Sequence, residues 1–152
     1  MGCYAVQLAA AGGGIVTATG RERQRDFILG LGATTFLASG ADGAAGYGAA
    51  APEGFDVVID TVGGPALDAS YGVTRRGGRL VTLSAPPSAE KAAALGVHAM
   101  FFVVTPDAAE LARLAGKLRP VVSQRFPLHD GRQAFESGTR PHPPGKTVLI
   151  VR

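Results

Sequence analysis

The chain has 152 residues, of which 46% are hydrophobic and 18% are charged, and its formal net charge is +3. This composition predicts a soluble globular protein with a hydrophobic core and excludes a largely disordered chain. So small a positive charge is typical of a solvated surface, and no nucleic-acid-reading motif accompanies the arginines, so we expect no nucleic-acid partner. The single cysteine, Cys3, excludes an internal disulfide and a thiolate-rich metal cage, and it favours the cytoplasm.

The segment from Gly2 to Gly20 contains no charged residue, but three consecutive glycines divide it. A membrane span or a signal peptide would keep its apolar run continuous, so we expect neither. Apolar residues before the glycines predict a helix from Gly2 to Ala11. The β-branched residues after them predict a strand from Ile15 to Thr19.

The next segment begins with charged residues and ends in a stretch rich in glycine. The polar run from Arg21 to Asp26 and the apolar residues after it predict a helix that ends at Gly32. A third strand is expected from Thr34 to Ala38. Alanine and glycine dominate from Ser39 to Gly54, which predicts a long loose connection or a poor helix.

The run from Phe55 to Asp60 is the strongest strand signal in the chain. Its apolar core does not alternate with polar residues, which is typical of a central parallel strand covered on both faces. Ligands of open α/β sheets bind at the carboxyl ends of the strands, so a site is expected around Thr61 to Gly64. A helix from Pro65 to Thr74, stopped by Gly77 and Gly78, and a strand from Arg79 to Leu83 complete a βαβ unit.

Helices and strands continue to alternate over the rest of the chain. The patterns predict a helix from Ser88 to Leu95, a strand from His98 to Val104, a helix from Thr105 to Leu118, a strand from Val121 to Phe126, a small helix near Asp130 to Glu136 and a strand from Thr147 to Val151. This alternation predicts an α/β fold with a doubly wound, Rossmann-like parallel sheet.

Several short pieces, in this order and spacing, resemble one family. They are Gly2 to Ala9 with its Ala-Val-Gln-Leu-Ala run, Arg25-Asp26-Phe27, Leu31-Gly32-Ala33, Asp56 to Gly64, Gly77 to Leu83, Arg119 to Val122 and Gly145 to Leu149. Together they resemble the nucleotide-binding half of the medium-chain dehydrogenase/reductase superfamily, in particular the zinc-free, zeta-crystallin-like quinone oxidoreductases. The resemblance spans nearly the whole chain.

The resemblance implies two domains and a missing opening segment. Residues 1–118 correspond to a truncated dinucleotide-binding domain, and residues 119–152 to a tail that packs in the family with a catalytic domain. The family's first strand and all but the last two residues of its glycine-rich loop have no counterpart, so we expect a mis-called start or a truncated gene. That strand would lie between those at Ile15 to Thr19 and Phe55 to Asp60, and the strand from Thr147 to Val151 is our candidate to fill its place.

The end of the second family strand indicates which dinucleotide is preferred. NAD-dependent enzymes usually carry a carboxylate there for the ribose hydroxyls, whereas this chain has Thr19-Gly20-Arg21. The absence of an acid and the presence of Arg21, Arg23 and Arg25 favour a 2′-phosphate, and hence NADP(H), over NAD(H). The alternative is a solvated, arginine-rich first turn of a helix.

The resemblance also assigns positions to the rest of the cofactor. It implies that Gly2 belongs to the pyrophosphate loop and that Thr61 and Val62 face the ribose and nicotinamide. Ala85, Phe102 and Val103 lie in the two segments whose backbone holds the nicotinamide in the family. The alternative roles are a strand end for Thr61 and plain core for the phenylalanines at 101 and 102.

The implied activity is NADPH-dependent hydride transfer to quinones or to activated alkenes and carbonyls. No catalytic residue can be named, because the family's substrate pocket belongs largely to the catalytic domain, and three dispersed histidines predict no metal site. Two alternatives stay open: an S-adenosylmethionine-dependent methyltransferase-like domain, which shares strand motifs of this kind, and a non-catalytic dinucleotide-binding remnant. The apolar edge strand from Met100 to Val104 predicts a homodimer.

Overall fold

The computed structural model describes residues 1–39 and 43–151. The chain divides into two compact units, Met1–Ala108 and Ala109–Arg152. The expected domain boundary at residue 118 lies ten residues further along the chain.

The first part of the amino-terminal unit contains a two-stranded parallel sheet. Its elements are α1 (Gly2–Ala11), β1 (Thr17–Gly20), a 3₁₀ turn (Glu22–Gln24), α2 (Arg25–Leu29), β2 (Thr35–Ala38) and α3 (Gly43–Ala50). Strands β1 and β2 pair from Thr17 opposite Thr35 to Gly20 opposite Ala38. The expectation of a poor helix between residues 39 and 54 is met by the glycine-rich α3, although residues 40–42 lie outside the described residues.

The second part of this unit contains a three-stranded parallel sheet with the order β3-β4-β5. Its elements are β3 (Phe55–Asp60), α4 (Pro65–Val73), β4 (Thr74–Thr82), α5 (Ala89–Leu95) and β5 (His98–Phe101). Leu80 of β4 is fully buried and packs with Leu67 and Tyr71 of α4 and with Ala92 of α5. The predicted class, α/β with parallel Rossmann-like strands, is therefore confirmed.

The glycine pair at the start of β4 was expected to separate α4 from the strand, and this prediction is wrong. Strand β4 begins directly at Thr74, and its register against β3 shifts between Phe55 and Val57. Gly77 has a φ of +75° within this irregular stretch. Glycine tolerates that conformation, so the extra residues form a bulge inside the strand and do not precede it.

The expectation that β3 is a central strand covered on both faces is also wrong, because β3 is an outer strand of its three-stranded sheet. Val57 and Ile59 are 49% and 45% exposed, whereas Val58, on the opposite face, packs against the core. Both α4 and α5 lie on the Val58 face. Two successive crossovers of the same hand that move in the same direction along a sheet place their helices on the same face, so the order β3-β4-β5 leaves the other face without these helices and partly exposed.

The two sheets of this unit are separate ladders. Strand β1 pairs with β2 and strand β3 pairs with β4, and the described residues contain no ladder between β1 and β3. The strand from Thr147 to Val151, our candidate for this place, lies elsewhere: β7 (Lys146–Ile150) pairs with β6 (Val122–Pro127) in the second unit. That prediction is wrong because the crossover between β6 and β7 is local and gives β7 a partner within its own unit.

The second unit contains α6 (Ala108–Leu114) followed by a compact βαβ arrangement. Here β6 is followed by a 3₁₀ turn (Leu128–Asp130), α7 (Gly131–Ser137) and β7. The Gln124 side-chain oxygen accepts hydrogen bonds from the hydroxyls of Ser137 (2.9 Å) and Thr147 (3.0 Å). One residue of β6 thereby ties both the helix and the second strand in place. Leu111 of α6 is mostly exposed.

Candidate functional site

Asp60, the last residue of β3, holds together two turns at the carboxyl edge of the three-stranded sheet. Its side chain is buried, with 5% of the residue exposed. One carboxylate oxygen accepts the backbone amides of Val62 (3.2 Å) and Gly63 (3.0 Å). The other accepts the hydroxyls of Ser84 (2.8 Å) and Thr82 (3.1 Å). The turn after β3 is therefore joined to the turn after β4 through one carboxylate.

The charge state of Asp60 follows from these partners. Burial raises the pKa of Asp60, but the hydrogen bonds from Gly63, Ser84, Val62 and Thr82 outweigh burial and hold the pKa below its ordinary value of 3.8. A carboxylate that accepts several hydrogen bonds is stabilised in its charged form. Asp60 is thus an anion throughout the physiological range and an acceptor only, which does not suit a general acid.

Gly63 brings the two turns into contact. Its φ is +81°, and a Cβ atom at this position would lie 2.7 Å from the Ser84 hydroxyl oxygen and 3.1 Å from the Ser84 Cβ. Residues with a side chain rarely adopt this backbone conformation, and a contact of 2.7 Å is closer than a methyl group allows. Both the conformation and the space require glycine here.

The hydroxyl of Thr82 shapes the turn after β4. It lies 3.1 Å from both an Asp60 oxygen and the Ala85 carbonyl, two acceptors that share its one hydrogen. It also accepts the backbone amides of Ser84 (3.3 Å) and Ala85 (3.4 Å). Thr82 is fully buried, so this network fixes the backbone of residues 83–85 from the protein interior.

Helix α1 begins at the same edge. A Cβ atom at Gly2 would lie 3.9 Å from the Thr61 hydroxyl oxygen, so the first turn of α1 lies beside the residue that follows β3. At the other end of α1, a Cβ atom at Gly32, just before β2, would lie 2.8 Å from the Ala10 side chain. The helix thus runs from the carboxyl end of β3 to the amino end of β2. This direction puts the carboxyl ends of both sheets on one side of the unit.

The first turn of α1 offers backbone donors and no competing acid. Met1 caps the helix without a side-chain hydrogen bond, and the first turn contains no acidic residue. The amides of Tyr4 and Ala5 donate to the Met1 carbonyl, whereas those of Gly2 and Cys3 have no acceptor among the described residues. Free amides at the positive end of a helix favour an anion.

The three candidate arginines follow β1 and differ in their partners. Arg25 donates two hydrogen bonds to the Glu22 carboxylate (2.6 and 3.0 Å) and lies 4.7 Å from the centre of the Phe36 ring. This bond to Arg25 lowers the pKa of Glu22, whose charge Arg25 already balances. Arg21 and Arg23 are exposed and have no ion pair in the part of the chain that the structure describes. We therefore expect the predicted phosphate contact at Arg21 and Arg23 and not at Arg25.

The predicted nicotinamide-side residues include exposed apolar side chains. Val62 is 76% exposed and Phe102 is 53% exposed, and Phe101 and Val103 are also exposed. The alternative that the two phenylalanines are plain core is therefore wrong. The Phe102 amide donates to the Thr82 carbonyl (2.9 Å), which keeps the segment after β5 beside the turn after β4.

The structure brings together one group of predicted residues and leaves the other apart. Thr61, Val62 and Ala85 meet through the Asp60 network, and Gly2 lies next to Thr61. No hydrogen bond or ion pair joins the arginines after β1 to this group within the described ranges. The sequence reasoning missed Thr82 and Ser84, although polar residues directly after the apolar run Leu80-Val81 are the signal that could have found them.

Residues 1–39 and 43–151 contain neither a candidate metal site nor a candidate membrane span. No group of three or more histidine, cysteine, aspartate or glutamate side chains in these ranges could hold a metal ion. No helix there is both long and apolar enough to cross a bilayer.

Comparison with known proteins gives a family and a consistent fold. A family model described as zinc-binding dehydrogenase matches residues 31–149. A probable zinc-binding oxidoreductase, mitochondrial, of Arthroderma benhamiae is 28% identical over 162 residues, which cover 99% of this chain and 49% of the relative. A mitochondrial NAD(P)H oxidoreductase of Mus musculus is also 28% identical, over 99% of this chain and 45% of its own length. The chain thus spans about half the length of these curated relatives.

Solved structures agree with this match. The quinone oxidoreductase from Coxiella burnetii superposes with a TM-score of 0.80 at 26% identity, over 97% of this chain and 48% of that chain. The fold described above is therefore the fold of one half of such an enzyme.

Proposed function

Because the chain belongs to the zinc-binding dehydrogenase family, we propose that it binds a nicotinamide dinucleotide and forms the cofactor-binding half of an oxidoreductase. The observation that carries this proposal is the arrangement at the carboxyl edge of the sheets. There the first turn of α1 lies beside Thr61. The arginines directly follow β1, so the proposal puts them at the same edge. The carboxyl edge of the strands is where open α/β sheets bind dinucleotides.

The donors at this edge fit a dinucleotide. The amides of Gly2 and Cys3 would face a pyrophosphate, since they have no described acceptor and no acid competes for them. Thr61, Val62 and Ala85 would line the nicotinamide side, together with Phe102 and Val103. When bound, the dinucleotide supplies the hydride, and the residues named here hold it in place and shield it from water.

We favour NADPH over NADH. Arg21 and Arg23 are exposed and lack an ion pair among the described residues, and the nearest acid, Glu22, is engaged by Arg25. A guanidinium binds a phosphate through charge-assisted hydrogen bonds, whereas a free carboxylate would repel it. The proposed substrates are quinones, as in the name of the Coxiella burnetii quinone oxidoreductase, or activated alkenes and carbonyls. A cytoplasmic location remains a prediction.

Titration of the 152-residue chain with NADPH and NADH tests the proposal. We expect tighter binding of NADPH than of NADH, and we expect Arg21→Ala to weaken NADPH binding about tenfold. This is the lower range for loss of a hydrogen bond to a charged group at an exposed site. Binding of NADH should change little. Arg79→Ala is the matched control, because Arg79 is exposed on the face of the sheet that lacks α4 and α5. Equal loss of NADPH and NADH on Arg21→Ala would contradict the cofactor preference.

The alternatives are decided by the same titration. The comparisons do not favour a methyltransferase. Binding of S-adenosylmethionine without binding of either dinucleotide would nevertheless restore that alternative. A chain that binds a dinucleotide but does not oxidise NADPH with a quinone would be a non-catalytic dinucleotide-binding remnant.

We also propose a homodimer through the edge formed by β5 and the residues after it. Strand β5 is one of the two outer strands of its sheet, and the apolar side chains at 100–104 are exposed. Unpaired apolar edges favour pairing with a second copy. Sedimentation velocity at micromolar concentration should show a dimer for the parent chain and a monomer for Met100→Lys. A monomeric parent chain would refute this proposal.

A further inference from the structure

Asp60 is the one buried carboxylate among the described residues, and its partners are amides and hydroxyls with no cation among them. Burying an anion is unfavourable unless its oxygens are fully used as acceptors. Here they are used, and every partner belongs to the turn after β3 or to the end of β4 and the turn after it. The carboxylate therefore fixes the relative position of two turns.

These two turns carry the residues at the proposed nicotinamide side. Val62 and Gly63 donate to Asp60, and Thr61 lies between them and the strand. On the β4 side, Ser84 donates to Asp60 and Ala85 follows it directly. The position of each turn therefore depends on the same anion.

We propose that Asp60 is a positioning residue that holds the turns after β3 and β4 in the geometry required by the nicotinamide end of the cofactor. This inference rests on the proposed function for the identity of the ligand. The adenosine end, proposed to meet Arg21 after β1, has no described contact with Asp60 or with its partners. Asp60 thus governs one end of the cofactor and leaves the other unaffected.

Amide hydrogen exchange tests the anchoring without any ligand. In Asp60→Asn the neutral amide keeps an acceptor for Val62 and Gly63 but loses the charge-assisted strength of the bonds. We expect exchange at these two amides to become about tenfold faster, since exchange reports the local free energy of opening. Asp56→Asn is the matched control, because Asp56 lies on the same strand in an exposed pair with Arg75 (2.6 Å). Unchanged exchange at Val62 and Gly63 in Asp60→Asn would overturn the inference.

Ligand binding tests the positioning. We expect Asp60→Asn to weaken NADPH binding about tenfold. The affinity for adenosine 2′,5′-bisphosphate, which lacks the nicotinamide end, should stay within about twofold of that of the parent chain. A purely structural role would weaken both ligands equally, and that result would overturn the inference. Should Asp60→Asn not fold, Ser84→Ala removes a single bond to the same carboxylate and should show a smaller loss of the same selective kind.

Failure of the proposed function can be told apart from failure of this inference. A parent chain that binds neither NADPH nor adenosine 2′,5′-bisphosphate refutes the proposed function and, with it, the nicotinamide part of the inference. The exchange measurement still decides whether Asp60 holds the turn. NADPH binding that is unaffected by Asp60→Asn, in a chain whose exchange does accelerate, overturns the inference alone.

Discussion

Replacing Gly63 with alanine tests how closely the turns after β3 and β4 approach each other. The φ of +81° costs roughly 1–2 kcal/mol for a residue with a Cβ atom. The added methyl would lie 2.7 Å from the Ser84 hydroxyl oxygen and 3.1 Å from its Cβ, an overpacked contact that costs roughly 1–3 kcal/mol more. We therefore expect Gly63→Ala to lower the free energy of unfolding by about 2–5 kcal/mol.

Gly13→Ala is the matched control for the conformational part of this cost. Gly13 has the same φ of +81°, and a Cβ atom there would have nothing within 4 Å. Urea unfolding followed by circular dichroism should place Gly63→Ala about 1–3 kcal/mol below Gly13→Ala, and Ser84→Gly in the same chain should remove most of that difference. Equal free energies of unfolding for the two alanine variants would refute the close approach of the turns.

Three other predictions concern the core, the charge of Asp60 and the arginines. Leu80→Ala should lower the free energy of unfolding by about 2–5 kcal/mol, because Leu80 is fully buried, whereas Leu111→Ala, at an exposed position, should cost less than about 0.5 kcal/mol. The pKa of Asp60 is lower in the folded chain than its ordinary value of 3.8, so its stabilisation is complete above that value and is lost as the pH falls through the folded pKa. The melting temperature of the parent chain should thus fall more steeply below about pH 4 than that of Asp60→Asn, and parallel curves would contradict this. Glu22→Gln removes the partner of Arg25 and should raise the NADPH affinity about twofold, measured by titration at low salt; a loss of affinity would count against the phosphate assignment.

Strand and helix positions were largely readable from the sequence because they depend on local pattern. The helix from Gly2 to Ala11 and the strand from Phe55 to Asp60 are found at the predicted bounds. Which face of a strand is buried could not be predicted from local pattern. Val57 and Ile59 have the residue types of a strand covered twice, but which face is covered depends on the direction of the crossovers that follow.

Pairing between distant side chains was also beyond local pattern. Arg25 has the same residue type as Arg21, and only the fold shows that Glu22 and Phe36 engage one and leave the other without an ion pair in the described ranges. Ser84 lies 24 residues from Asp60 and meets it only because β3 and β4 are neighbours in parallel register. The glycine at 63 was recognised as the end of a strand, whereas its contact with Ser84 required coordinates.

About half of the surface of Val57 and Ile59 is exposed to water, and this exposure affects the solubility of the protein. Water in contact with apolar side chains is released when two apolar surfaces associate. Salts that are excluded from the protein surface, such as sulfate, make this association more favourable. These side chains are therefore expected to contribute to precipitation in concentrated sulfate, together with the exposed apolar residues at 100–104. Ile59→Thr should raise the solubility of the protein. The packing of Leu80 should stay intact, because Leu80 lies on the opposite face of the sheet.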